Sequence, residues 1–322
     1  IWPHTKVVNA TRHADHWAAT LLNSQGHTIE VTAKAIVNAA GPWAVDVLEN
    51  GLHTHAQRAL RQIKGSHIIV PRMFEHPYAY IFQNKDNRIV FVIPYEDEFT
   101  LIGTTDIEYT GDVANVSISN EETEYLCAVV NEYFDKAISP ADVVSTYAGV
   151  RPLLADEHGN PAAVTRDYQL ILDNAAGAPV LSIFGKITTY RRLAEDAMSE
   201  LAKVLPMDSG AWTAHKPLPG GDMPNADFEA FVRAQQMKYT WLDATLLRRY
   251  ARLYGTRMDV FLQGKGNMTD LGEQVCPALY AAEIAYLREY EWASSAQDIL
   301  WRRTKLGLHS TADDVAQLEN YL

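Results

Sequence analysis

The chain has 322 residues, 47% of them hydrophobic and 21% charged, which excludes a disordered, collagen-like or low-complexity protein and suits about two domains with buried cores. A formal net charge of −12 argues against a nucleic-acid partner, because such a partner demands a basic footprint. No apolar run reaches the roughly 18 residues of a membrane-crossing helix, and the two cysteines, Cys127 and Cys276, form neither a disulfide framework nor a CxxC metal site, which fits a reducing compartment.

The opening Ile1-Trp2-Pro3 has no initiator Met, basic n-region or apolar signal core, so it reads as the start of a fragment or processed chain. Residues 1–40 are predicted to be β structure, with alternation at His27–Val31 and a short apolar run at Ala35–Val37. Gly41-Pro42 then breaks the chain, and Trp43–Leu48 is a short predicted helix that stops at Asn50-Gly51. Residues 64–106 hold four β-prone runs, Ile68–Val70, Ala79–Phe82, Ile89–Ile93 and Thr100–Ile102, with Lys85-Asp86-Asn87 at hairpin distance. No helix-length segment intervenes, so the sheet is expected to be antiparallel.

A helix is predicted from Asn120 to about Lys136, its first-turn acids Glu121 and Glu122 suiting the helix dipole. Strands follow near 143–150, 168–172 and 180–184, then Gly185 and a helix to about Leu205. The Pro- and Gly-rich stretch 206–224 reads as a linker. Beyond it two apolar stripes, Leu246, Leu247, Tyr250, Leu253, Tyr254 and then Tyr280, Ile284, Leu287, Tyr290, predict an all-α module.

Several segments carry possible chemistry. At Asn38–Trp43 a strand ends in small residues, a glycine and a helix start, where a backbone can approach a bulky ligand and offer free N–H groups. A plain strand–turn–helix corner has the same pattern. At Phe184–Arg191 a glycine, Lys186 and the helix-opening Thr188 and Thr189 would hold an anion, or would simply cap a helix beside a solvated lysine. Arg151 in Gly149-Val150-Arg151-Pro152 and Arg166 in Thr165-Arg166-Asp167 are each a phosphate clamp or half of an ion pair. His67 stands at a strand start, where an ordinary edge histidine also sits. The eleven histidines show no HxxxH or HExxH spacing and there is no GxSxG, so neither a zinc hydrolase nor a serine hydrolase has its signature, and no metal site is expected.

Taken in order, Asn38–Trp43, Lys64–His67, Phe91–Pro94, Ile102–Asp106, Gly149–Leu153, Thr165–Tyr168, Lys186–Arg191 and the tail segments Tyr280–Ile284 and Asp298–Gly307 resemble the FAD-dependent glycerol-3-phosphate dehydrogenases, the aerobic, quinone-linked enzymes. The resemblance covers nearly the whole chain. It departs in two places: the GxGxxG turn with which that family begins does not occur in this sequence, and one glycine stands before Lys186 where the family usually has two.

The resemblance implies an α+β fold. Residues 1–50 and 180–205 would be the C-terminal portion of an FAD-binding α/β domain, 51–179 an antiparallel-sheet substrate domain, 206–224 a linker and 225–322 an all-α C-terminal domain. It implies oxidation of sn-glycerol 3-phosphate to dihydroxyacetone phosphate, FAD as cofactor and ubiquinone as acceptor. Arg151, Arg166 and Lys186 would bind substrate, and His67 with Arg151 would serve catalysis. Gly41, Pro42, Trp43, Gly185, Thr188 and Thr189 would lie against the flavin. A cytoplasmic enzyme peripheral on the inner membrane, a homodimer, and an inactive isolated fragment complete the expectation. The alternatives are a glycerol-3-phosphate oxidase using oxygen and a non-catalytic anion-binding or oligomerisation module.

Overall fold

Three antiparallel strands, β1 (Thr5–Arg12), β2 (Trp17–Asn23) and β3 (Thr28–Ala33), pair in chain order at the start of the sequence. The structure is a computed structural model that describes residues 1–154, 167–185, 187–206 and 210–322, and the chain divides into two units, Ile1–Ala211 and Trp212–Leu322.

In the first unit β4 (Ile36–Asn38) leads into a helical corner, Gly41–Trp43 followed by α1 (Ala44–Asp46) and a wider turn to Gly51. The central sheet is built from β5 (Leu60–Pro71), β6 (Tyr80–Gln83), β7 (Ile89–Tyr95), β8 (Phe99–Gly103), the short β9 (Ile107–Glu108) and, after α2 (Asn120–Asn131), β10 (Ser145–Leu154). Its order is β10-β5-β8-β7-β6, with β9 added beside β5, and every pairing is antiparallel as the hairpin spacing predicts. The unit closes with β11 (Tyr168–Asp173), β12 (Val180–Gly185) and α3 (Tyr190–Leu201). β12 pairs antiparallel with β11 and parallel with β4, a strand far earlier in sequence.

Two contacts tie the opening hairpin to this last sheet. The Arg12 guanidinium donates to the Asp173 carboxylate and carbonyl, each at 2.8 Å, and to the Ala178 carbonyl at 2.7 Å. Trp17, fully buried, donates its indole N–H to the Pro179 carbonyl at 3.0 Å. Alternation in the central sheet sends Ile68, Val70, Val90, Val92 and Ile102 to one face, where they pack on Leu126, Cys127, Val129 and Val130 of α2.

The α2 helix corrects one expectation and extends another. It ends at Asn131 rather than near Lys136, because the Asn131 side chain turns back to donate to the Ile138 carbonyl and accept from the Ile138 N–H, both at 2.8 Å. Glu122 does more than suit the helix dipole. It is 3% exposed, closes a capping box with Ser119, and accepts from Lys64 at 2.7 Å, Ser66 at 2.8 Å and Thr105 at 2.7 Å.

The second unit is helical apart from one small hairpin. α4 (Phe228–Lys238), α5 (Ala244–Tyr254) and α6 (Met258–Leu262) precede β13 (Gln274–Cys276) and β14 (Leu279–Tyr280), and α7 (Ala281–Tyr290) and α8 (Ala312–Tyr321) follow. Leu246, Leu247, Tyr250 and Tyr254 bury the predicted stripe of α5, and Asp243 caps its N-terminus. Glu283, fully buried, pairs with Arg249 at 2.6 Å and accepts from the Tyr254 hydroxyl. The stretch 206–224 contains the division between the units, and its second half is packed: the Gly220 carbonyl accepts from the Thr256 N–H at 3.0 Å, and a Cβ on Gly255 would stand 1.9 Å from that oxygen. Cys127 and Cys276 are buried thiols in separate units.

Burial pushes the Glu122 carboxyl up, but Lys64, Thr105, the Ser119 N–H and Ser66 together outweigh it and hold the group below its ordinary range. Its contribution is therefore present above the unfolded value near 4.5 and lost as the pH falls through the lower folded one. Glu122→Ala leaves the Lys64 ammonium buried without its carboxylate and is expected to destabilise the first unit by about 3–5 kcal/mol. Urea unfolding followed near neutral pH and again at pH 3 checks both the size of this effect and its disappearance in acid.

Candidate active site

Register decides what stands on the face of the central sheet opposite α2. Tyr147 of β10 lies opposite His67 of β5, which in turn lies opposite Gly103 of β8, with Phe91 of β7 next in the row. Two residues along, Gly149 pairs with Gly65, and Arg151 pairs with Ile63. Period-two alternation puts Tyr147, Gly149, Arg151, Gly65, His67, Gly103 and Phe91 on one face.

The glycines form the floor of this face. A Cβ on Gly65 would lie 2.1 Å from Arg151 Nη2 and 2.5 Å from Thr104 Oγ1, so the guanidinium rests directly on the bare backbone. A Cβ on Gly103 would lie 2.3 Å from the His67 ring, which leans over that glycine. Nothing stands within 4 Å of the Cβ position of Gly149. The space above it is open, beside the guanidinium and the imidazole.

Arg151 is held by two partners. Its Nη1 forms an ion pair with Asp106, and Nη2 donates to Thr104 Oγ1 at 3.0 Å. The ion-pair alternative for this arginine is thus present, yet 43% of the side chain stays accessible. The guanidinium fork carries five donors, so it can hold Asp106 and Thr104 and still meet a bound anion. His67 stacks on Tyr147 with ring centroids 4.7 Å apart and planes 11° from parallel, and its Nδ1 is buried with no hydrogen-bond partner. Burial, and after it the Arg151 charge, lower its pKa from 6.5 to about 4. The imidazole is therefore neutral at physiological pH, in the form that accepts a proton.

Beside this face lies the corner at the end of β4. Parallel pairing sets Ile36, Val37 and Asn38 against Val180, Leu181 and Ser182, so the turns after β4 and β12 leave the sheet at the same end. In open α/β sheets that end is where ligands bind. Asn38 is buried and shapes the turn, its amide donating to the Ala44 carbonyl at 2.8 Å. Gly41 has φ +56 with open space at its Cβ position, Pro42 starts the helical turn, and Trp43 is exposed. The corner touches β10 and β12, and Gln62, which pairs with Pro152, donates to the Pro42 carbonyl at 2.9 Å. Gly41, Pro42 and Trp43 are thereby joined to the strands that carry Arg151 and His67.

Gly185 ends β12 at φ +97, where a Cβ would meet the Asp167 carbonyl at 2.6 Å, so glycine is required there. Thr188 and Thr189 lead into α3, but the Thr189 hydroxyl makes no cap bond, because its backbone at φ −100, ψ 33 is not the extended form that aims an N-cap oxygen at the helix N–H groups. Arg166 and Lys186 lie outside the described residues. No group of three or more metal-ligating side chains occurs among the described residues.

The sequence reading gave no role to Tyr147, Thr104 or Asp106. Each acts across strands, and pairing register, the quantity that unites them, is not written in local sequence. Gly65, Gly103 and Gly149 stood inside quoted segments, and only the pairing shows them as neighbours.

A parallel strand pair with its glycine corner and an antiparallel sheet make up the first unit, and the comparisons identify this arrangement as a flavin-dependent oxidoreductase fold. Residues 1–191 match the FAD dependent oxidoreductase family, DAO, and residues 211–320 match the C-terminal domain of alpha-glycerophosphate oxidase. The chain belongs to this family of FAD-dependent oxidoreductases. A glycerol-3-phosphate dehydrogenase of Pseudomonas aeruginosa is 48% identical over 320 residues, 99% of this chain and 62% of that protein. A D-erythritol 1-phosphate dehydrogenase of Brucella abortus is 45% identical over 313 residues, 97% of this chain and 62% of that protein. The crystal structure of the glycerol-3-phosphate dehydrogenase from Bacillus halodurans complexed with FAD superposes with a TM-score of 0.77 at 26% identity, covering 98% of this chain and 67% of that one. The chain thus spans about 62% of the length of these curated relatives.

The residues present fit the family's cofactor. The Gly41 corner, with no described atom within 4 Å of its Cβ position, and the Gly185 turn at the same end of the sheet supply close backbone approach.

Gly65→Ala places a methyl where the Arg151 guanidinium now rests. The guanidinium can swing away, but the methyl would also stand 2.5 Å from Thr104 Oγ1, so the thermal midpoint is expected to fall as well. In the full-length protein, kcat/KM is expected to fall at least tenfold, about 1.4 kcal/mol. Differential scanning calorimetry with steady-state kinetics separates the two effects.

Proposed function

We propose that the protein carrying this chain oxidises sn-glycerol 3-phosphate to dihydroxyacetone phosphate, with FAD as the immediate acceptor and ubiquinone as the next one. The observation that supports it is the joining of Arg151 and His67 on one face of the central sheet, on strands to which Gln62 ties the Gly41–Trp43 corner. The similarity to glycerol-3-phosphate dehydrogenases supplies the substrate class.

Bound FAD supplies a hydride acceptor in its isoalloxazine ring. Gly41, Pro42 and Trp43, with Gly185, Thr188 and Thr189, are the residues of this chain that would hold it, by backbone approach and helix-start amides. The work of the substrate residues is to orient and deprotonate. Arg151 binds substrate oxygens through its fork, with Arg166 and Lys186 proposed as further cations for a phosphate dianion. His67, neutral at rest, takes the proton of the secondary hydroxyl at Nε2, the ring nitrogen left to a ligand when Nδ1 is buried. The C–H bond of the same carbon breaks with its electron pair passing to the acceptor, and the product is the ketone. Thr104 and Asp106 keep the guanidinium over Gly65 while this occurs.

The 45% identity to a D-erythritol 1-phosphate dehydrogenase over nearly the same span supports a second reading, a longer polyol phosphate, with the same roles for both side chains. Ubiquinone as acceptor, attachment to the cytoplasmic face of the inner membrane as a peripheral protein, and a homodimer are further parts of the proposal. Among the described residues no helix is long and apolar enough to cross a membrane.

Arg151→Ala in the full-length protein is expected to lower kcat/KM for glycerol 3-phosphate at least tenfold, and kinetics equal to wild type would remove Arg151 from the site. Dye reduction with glycerol 3-phosphate and with erythritol phosphate ranks the two substrates, and peroxide formed in step with turnover would indicate an oxidase instead. Residues 1–322 prepared alone are expected to be colourless and inactive, since the sequence holds no GxGxxG turn for the ADP half of the cofactor. A flavin absorbance spectrum of that preparation decides the point.

A further inference from the structure

Tyr147, His67 and Gly103 occupy one row across three strands, and the imidazole fills the gap between a phenol ring and a bare backbone. The ring stacks on Tyr147 at 4.7 Å and 11°, and its other edge leans so close to Gly103 that no side chain fits there. Tyr147 itself is 47% exposed and is not needed to fill the core. An exposed aromatic laid flat on a half-buried histidine shields the imidazole face from water without giving it a hydrogen bond.

We propose that Tyr147 is a positioning residue: with Gly103 opposite, it clamps the His67 imidazole in one plane on the open face and keeps water off it, so that the ring stays neutral and turned to the substrate. This rests on the reading of His67 as the proton acceptor.

Among the described residues, the groups that face His67 are few. Tyr147 and Arg151 come from β10, Gly103 and Thr104 from the end of β8, and Phe91 and Tyr95 from the same face of β7, with Asp106 bound to Arg151. Burial, then Glu96 and Tyr147, push the Tyr95 phenol up to about 12, so it carries no charge near neutrality. Burial likewise raises Tyr147. Among the described residues Arg151 is the charge that acts on His67, and it is anchored by Thr104 and Asp106 independently of Tyr147. Desolvation is the larger influence on the imidazole, and Tyr147 covers it.

The test is a titration of His67 by carbon-13 NMR in the full-length protein with ring-labelled histidine, its resonance identified by absence from His67→Gln. Tyr147→Phe keeps the stack and is expected to leave the midpoint where it is. Tyr147→Leu opens the ring face to water and is expected to raise the midpoint by about one pH unit or more toward the free value. Gly103→Ala, which displaces the ring from the other side, is expected to raise it likewise and serves if the leucine variant fails to fold. In kinetics, Tyr147→Leu is expected to lower kcat with little change in KM, because Arg151 keeps its anchors, and to move the acidic limb of kcat upward by the same interval. A midpoint unchanged in both Tyr147→Leu and Gly103→Ala would overturn the clamp. A midpoint that rises while the acidic limb stays fixed upholds the clamp and removes His67 as the proton acceptor.

Discussion

The first unit depends on one buried carboxylate. Glu122 belongs to α2, but its two oxygens are spent on Lys64, Ser66 and Thr105, which come from β5 and from the turn after β8. A single group thus pins the helix that backs the central sheet to the two strands that frame the site. Lys64, Gly65, Ser66 and His67 are consecutive, so the even residues lock to the helix side while the odd ones form the open face. Fixing one set fixes the other, because a strand cannot slip without exchanging its faces.

The open face then follows from economy of side chains. Most residues on a sheet face cover their neighbours, and here three positions carry none. The absence of Cβ atoms at 65 and 103 lets two long side chains, a guanidinium and an imidazole, lie down on the backbone instead of standing up from it. Lying down, they are held on their flanks by Thr104, Asp106 and Tyr147 and present their functional edges to the same side. Preorganisation of this kind is what a site needs if substrate binding is not to be spent on ordering catalytic groups.

Much of this was legible in the sequence, and the limits have a physical cause. Alternation and short β-prone runs announced the antiparallel sheet, the Asn38–Trp43 corner announced a strand–turn–helix unit, and the apolar stripe of α5 announced the helical second unit. Ordered family resemblance pointed to FAD, and the family comparisons bear it out. Boundaries slipped where a side chain ended an element early, as Asn131 does for α2 by bonding to Ile138. The first-turn place of Glu122 announces a helix-dipole partner and no more, because dipole arguments see only its own helix. The Ser119-x-x-Glu122 spacing of a capping box was visible, but its buried partners lie more than fifteen residues away. Tyr147 was passed over for the same reason, since its importance comes from the strand beside it.

One consequence of the three bare backbone positions concerns how such a pocket can diverge. Positions 65 and 103 are pinned by the groups lying on them, while 149 faces empty space at an ordinary backbone angle. A methyl or hydroxymethyl could therefore enter at 149 without touching the guanidinium or the imidazole. Among these three positions, that is where the shape of this face can change with both polar groups kept in place.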